Sequence, residues 1–247
     1  MSKVTRIPTP KTLSDIVLAD EYLRDDLQDY CDGFETGTLL FYGAPGSGKS
    51  TLARIIADTR CGVATYINAT DKEEVKKLTC NGLLGKVDYQ HFMEGSVEDF
   101  VPTLFIDEVD RLDAVKGKWD ELKELFDILE RNKHEQYWQW NVLLTTNHLN
   151  KLPDALRSRC EVRQIRGLTA QDAVPAVQRI LQQQGIVESD ANVLRQIELG
   201  ITALGANNTR IDWRRVVSDC QRKVRRHNRT QAQQQTTKQK TKLRVVK

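Results

Sequence analysis

Leu39-Leu40-Phe41-Tyr42-Gly43-Ala44-Pro45-Gly46-Ser47-Gly48-Lys49-Ser50-Thr51 runs an apolar tetrad into a glycine-rich turn and then into a Lys-Ser-Thr helix start. The apolar run is too short for a buried helix and has the length of a buried strand. Its centre, from Gly43 to Ser50, fits the spacing Gly-x-x-x-x-Gly-Lys-Ser/Thr. Glycines at these positions let successive backbone N–H groups curl around phosphate oxygens, and the helix that follows turns its positive end toward them. Lys49 has the length to reach β- and γ-phosphates, and the Ser50 hydroxyl suits Mg²⁺. Gly43, Ala44, Pro45, Gly46, Ser47, Gly48, Lys49, Ser50 and Thr51 are therefore the candidate residues for holding a nucleoside triphosphate.

Outward from this turn, further short apolar runs predict strands at Val63–Ile67, Leu104–Ile106 and Val142–Thr145, with a fifth candidate at Val162–Ile165. Helical patterns at Ser50–Thr59, Lys72–Leu78 and Lys118–Arg131 separate them, and a helix over about 20–31 precedes them. Strands alternating with helices predict an α/β fold, a parallel sheet sandwiched by helices. After about residue 168 the pattern turns all-helical (Ala170–Gln184, Ser189–Leu199, Thr209–Arg226), as expected of a small all-α lid. The expected organisation is an N-terminal arm over 1–14, a nucleotide-binding domain over 15–167, a helical lid over 168–228 and a disordered basic tail over 229–247.

The Leu104 run ends in Asp107-Glu108, which puts two carboxylates at the sheet edge where ligands sit. Asp107 suits Mg²⁺ and Glu108 suits polarising an attacking water. The Val142 run ends in Asn147, an amide placed to hold that water in line.

Composition bounds the rest. The chain has 247 residues, with 29% charged and 39% apolar, and no apolar run long enough to span a bilayer. The N-terminus lacks the apolar segment of a signal peptide, so an address inside the cell, cytoplasmic or with nuclear or nucleoid DNA, is expected. Five scattered cysteines show no zinc spacing, and His91, His134, His148 and His227 form no ligand set. The net charge of +3 hides an asymmetry: Gln221–Lys247 holds ten Lys/Arg and no acid, leaving residues 1–220 with 27 basic and 34 acidic residues. Such a tail is a plausible polyanion footprint. The Tyr137-Trp138-Gln139-Trp140 cluster is expected to pack rather than to stack on bases.

The order of these motifs, followed by Ser158-Arg159-Cys160, resembles the AAA+ ATPases of the P-loop NTPase class, and among them the small subunits of sliding-clamp loaders of the replication factor C type. Local anchors are Pro10–Val17, Leu39–Gly43, Ile67–Asp71, Asp107–Leu112 and Leu156–Cys160, and the likeness covers about residues 8–226. The resemblance implies ATP and Mg²⁺ as ligands, with Ser50 and Asp107 on the metal, Glu108 as the base and Val17 in the segment leading to the adenine pocket. It implies that Arg159 is an arginine finger inserted into a neighbouring subunit's site, and that Arg214, with Arg210 and Arg215 nearby, senses the γ-phosphate from the lid. It also places Lys72, Lys76 and Lys77 in a region that lines the DNA-facing bore in clamp loaders. Cys160 is expected to pack.

Three departures stand out: Thr9 where the family usually has Arg, an acidic Trp119–Arg131 helix where it tends to carry paired arginines, and a basic tail expected in place of the family's helical collar domain. The expected role is an ATPase coupling hydrolysis to DNA-associated assembly in replication or repair. Its expected partners are DNA, other AAA+ subunits in a homo- or hetero-oligomer, and a sliding clamp or a collar-bearing subunit, with no membrane. One alternative is an ATP-switched DNA-binding scaffold that recruits a helicase, transposase or nuclease. Another is a protein remodeller indifferent to DNA.

Overall fold

A computed structural model describes residues 7, 9–61, 64–85, 103–134, 140–202 and 210–245. The chain divides into two compact units, one over Pro10–Arg166 and one from Gly167 onward that also takes in the residues up to Thr9.

The first unit is built on five parallel strands: β1 Thr38–Tyr42, β2 Ala64–Asn68, β3 Thr103–Asp107, β4 Asn141–Thr146 and β5 Glu161–Gln164. Their order is β2-β3-β4-β1-β5, so β4 lies between the strand of the glycine turn and the strand of the acidic pair. Phe41 pairs with Thr145 and Ile106 with Leu144, which brings the three strand ends to one edge. Every residue of β4 is buried, whereas β5, at an edge, reads Glu-Val-Arg-Gln with none buried. A central parallel strand is covered on both faces and so carries a continuous apolar run. Arg163 closes the β5 edge by pairing with Asp26 at 2.8 Å.

Alternation along the strands sorts the core onto two faces. Leu39, Phe41, Phe105 and Leu143 pack with Leu27 and Tyr30 of α1 (Glu21–Asp32) and with Leu52, Ile55 and Ile56 of α2 (Lys49–Cys61). Leu40, Leu104, Ile106, Val142 and Leu144 pack with Val75 of α3 (Lys72–Lys77) and with Leu122, Leu125 and Phe126 of α4 (Lys118–His134). Residues 80–85 are also helical. A short helix, α5 (Asp154–Arg157), leads into β5. The expected parallel sheet between helical layers is what the chain forms.

The second unit is helical: α6 Ala170–Gln182, α7 Asp190–Thr202 and α8 Trp213–Val245. Thr169 and Asp172 form a reciprocal cap at the start of α6, each side chain accepting from the other's backbone N–H. The structure departs from the sequence reading at both chain ends. Disorder was expected after Asn228, but α8 runs on to Val245. Gln, Lys, Arg and Ala are good helix formers, and no Gly or Pro interrupts them, so local propensity extends a helix already nucleated by packing. Within residues 1–14, the described positions divide between the two units. Leu13 is buried in the first unit's core, while Ile7 belongs with the second unit.

Candidate nucleotide-binding site

The glycine turn joins β1 to α2 at the edge where β3 and β4 also end. Gly46 and Gly48 adopt positive φ, at 76° and 96°. Gly43 is required for a different reason: a Cβ there would lie 2.3 Å from the Ile165 carbonyl oxygen. The turn passes so close to the end of β5 that no side chain fits between them. Lys49 is buried, and its ammonium donates to the carbonyls of Gly43 at 3.0 Å and Ala44 at 2.8 Å. The Ser47 hydroxyl is buried with no hydrogen-bond partner among the described residues. A curled run of backbone with an orphaned hydroxyl beside a buried, positively charged ammonium fits a polyanionic ligand, because a buried hydroxyl normally finds a partner. Thr51 is half-buried one residue further into α2.

Ser50 donates to Asp107 Oδ1 at 2.7 Å, joining the start of α2 to the end of β3. Thr145 of β4 donates to the same oxygen at 2.5 Å and accepts from the Glu108 N–H at 3.0 Å. Its neighbour Thr146 donates to the buried Asp110 at 2.7 Å. Consecutive threonines at the end of an aliphatic strand thus fasten the acidic segment in two places. The sequence reading gave the chemistry of this strand to Asn147 and passed over both threonines. The missed signal is two hydroxyls in a fully buried run, which need buried acceptors.

Glu108 is the only non-glycine with positive φ among the described residues, at φ 56° and ψ 48°. That conformation costs roughly 1 kcal/mol or more and persists only where the surroundings impose it. Here the bond from its N–H to Thr145 and the turn Val109–Ala114 impose it. Its carboxylate lies 3.7 Å from Arg111 Nε. Asn147 sits half-buried just past the end of β4, on the same edge. Ser50 and Asp107 offer hard oxygens, a donor set suited to Mg²⁺, which takes one or two protein oxygens and completes its shell with phosphates and water.

The segment expected near adenine is held against α1. Arg24 donates to the carbonyls of Leu13 at 2.6 Å and Ile16 at 2.7 Å. Ile16 and Leu18 pack on the core around α2, and Val17 between them is half-buried.

Arg159 engages a different element. Its Nη2 donates to Asp127 at 2.6 Å, its Nε to Glu130 at 3.1 Å and its Nη1 to the Ala155 carbonyl at 3.3 Å. Both acids lie on α4, the helix noted above for being acidic. Cys160 donates to the Leu156 carbonyl, and burial pushes its thiol up to about 12, so it stays protonated and packs as expected. In the second unit, Arg210 donates to the Gly167 carbonyl at 2.8 Å, Arg215 is half-buried, and Arg214 is exposed in the first turn of α8. On α3, Lys72 is exposed and Lys76 pairs with Glu73. Trp140 is buried, while residues 135–139, with the rest of that aromatic cluster, lie outside the described residues.

Residues 39–168 match the family described as ATPase family associated with various cellular activities (AAA). The chain belongs to the AAA ATPase family. This AAA chain is 26% identical over 219 residues to the replication factor C large subunit of Archaeoglobus fulgidus, covering 86% of the chain and 42% of that protein. It is 25% identical over 194 residues to the replication factor C small subunit of Thermofilum pendens, covering 73% and 53%. The AAA chain therefore spans about half the length of these relatives. Among solved structures, the Thermotoga maritima RuvB Holliday junction branch migration motor superposes with a TM-score of 0.53 at 17% identity, over 85% of this chain and 71% of that one. That likeness shows the fold. Among the described residues, no helix is long and apolar enough to cross a membrane.

Proposed function

We propose that this AAA protein binds ATP with Mg²⁺ at the Gly43–Thr51 turn and hydrolyses it within an assembly of AAA subunits that works on DNA, in the manner of a clamp loader. The observation that carries the proposal is the connection Ser50–Asp107–Thr145–Glu108, which unites the turn, a metal-type carboxylate and a second carboxylate at one sheet edge. Lys49 would leave the turn's own carbonyls for the phosphates. Ser50 and Asp107 would hold Mg²⁺, which supplies positive charge against the phosphate oxygens. Glu108 takes a proton from water as the water oxygen bonds to the γ-phosphorus and the bond to the β–γ bridging oxygen breaks, releasing ADP. Asn147 orients that water. Val17 lies along the adenine, and Arg214, exposed in the first turn of α8, meets the γ-phosphate.

Arg159 completes a neighbour's site. Its partners Asp127 and Glu130 are 41% and 55% exposed, so each pair contributes about 1 kcal/mol or less. A transferring phosphoryl group can outcompete contacts of that strength. The name of the curated relatives, replication factor C, supports work on DNA, with a sliding clamp or a collar-bearing subunit as further partners. The second unit, from Gly167, acts as the lid.

The test is hydrolysis by mixed subunits. Glu108→Gln and Arg159→Ala proteins should each be nearly inactive alone, with Glu108→Gln still binding ATP. Mixing them should recover hydrolysis, because a Glu108→Gln subunit lends its Arg159 to an intact Glu108 next door. No recovery in mixtures shown to co-assemble would remove the finger in trans, and parent-rate turnover by Glu108→Gln would remove the base.

A further inference from the structure

The helix α8 carries two opposed faces. Val224 and Cys220 are buried and Val216 is half-buried, forming its seam with the other helices of the second unit. Lys223, near that seam, pairs with Glu188 and donates to Gln196 at 3.0 Å. At about 100° per residue, Arg222, Arg225, Arg226 and Arg229 fall on the side away from the seam, at spacings of three, four and seven. All four are exposed. Arg222 pairs with Asp219, the last acid in the sequence, and Arg225, Arg226 and Arg229 have no ion pair among the described residues.

We infer that this arginine face is a docking surface for the phosphate backbone of duplex DNA. The face has a role only if the assembly works on DNA, as proposed above. Guanidinium forks match phosphate oxygens two at a time. Arg222 to Arg229 spans roughly 10 Å, along which one strand of a duplex presents about three phosphates.

Composition separates this occupant from others. From Arg225 to Lys242 the only aliphatic residue is Ala232, so the helix lacks the apolar face that a membrane-surface helix buries. It equally lacks the aromatic and aliphatic anchors of a protein interface. No Phe, Tyr or Trp follows Trp213, so there is nothing on which single-stranded bases could stack. Besides His227 and three lysines, Gln, Asn and Thr fill the remaining positions, polar groups that hydrogen-bond to phosphate and sugar.

The experiment titrates the full chain with a short blunt-ended DNA duplex, by anisotropy, across roughly 50–200 mM KCl. Arg225→Gln/Arg226→Gln/Arg229→Gln should flatten the slope of log affinity against log salt by about 2–3 and weaken binding at least about tenfold. Lys116→Gln/Lys123→Gln/Lys151→Gln, with the same change in net charge, should leave the slope within about half a unit of the parent. The triple Arg→Lys variant should keep most of the slope, which separates charge from any fraying of the helix. An unchanged slope in the Gln variant would overturn the surface while leaving DNA binding in place. A parent chain that ignores duplex would overturn both. Tighter binding to a single strand, or arginine-dependent binding to phosphatidylserine vesicles in preference to duplex, would also overturn the surface.

Discussion

Replacing Thr145 by valine removes one oxygen and keeps the shape of the side chain. That oxygen donates to Asp107 Oδ1 at 2.5 Å and accepts from the Glu108 N–H at 3.0 Å, in a residue only 1% exposed. Water cannot replace it there. The N–H left without an acceptor costs about 1–3 kcal/mol, and the lost bond to a carboxylate about 1.5–3 kcal/mol before relaxation. Asp107 keeps its bond from Ser50, so a net loss of about 3 kcal/mol is expected. For a unit of this size that corresponds to a fall in Tm of roughly 6–12 °C. Glu108 would also lose one of the contacts that impose its positive φ. Turnover should therefore drop about tenfold or more while KM for ATP moves little, because the Gly43–Lys49 turn is untouched. Thermal melts and steady-state hydrolysis read both effects, and Thr145→Ser should restore them. A Thr145→Val protein that melts within roughly 1 °C of the parent and turns over at its rate would refute the reasoning.

Other expectations follow from single contacts. Gly43→Ala places a carbon 2.3 Å from the Ile165 carbonyl, so it should destabilise the first unit by roughly 3 kcal/mol or more, read as lost soluble yield or a lowered Tm. Asp127→Asn with Glu130→Gln should lower stability by about 2 kcal/mol or less, at most about 1 for each pair, since both carboxylates are substantially exposed; a larger loss in a urea melt would make Arg159 a structural residue. Burial raises the Cys160 thiol to about 12 and the Cys220 thiol to about 11, above an ordinary value of 9.0. Their contribution to stability is complete below pH 9 and is lost as pH rises through 11 and 12, because the unfolded chain ionises first. Native protein at pH 8 should accordingly resist iodoacetamide at both positions and react once unfolded in urea, as mapped by mass spectrometry.

The candidate site was legible wherever chemistry is carried by adjacent residues. The turn Gly43–Ser50 and the pair Asp107-Glu108 state their roles in one stretch of chain, because phosphate cradling and carboxylate placement need neighbouring backbone groups. Thr145 and Thr146 were passed over because their partners lie 38 and 36 residues away and only strand order brings them together. The fate of Arg159 was hidden for the same reason: Asp127 and Glu130 meet it only once α4 packs beside the end of α5. The helix continues past Asn228 despite low apolar content, because helix propensity acts without a core once a packed helix supplies the nucleus.

Short continuous apolar runs alternating with helical patterns were enough, from sequence alone, to give the parallel sheet, and adjacent residues gave the candidate phosphate-type turn and acidic strand end. The insertion of β4 between β1 and β3 belongs to the tertiary structure alone. Hydrogen bonding between strands is indifferent to sequence distance, so the neighbour that delivers the Thr145 hydroxyl to both carboxylate-bearing residues emerges only when the whole sheet has closed.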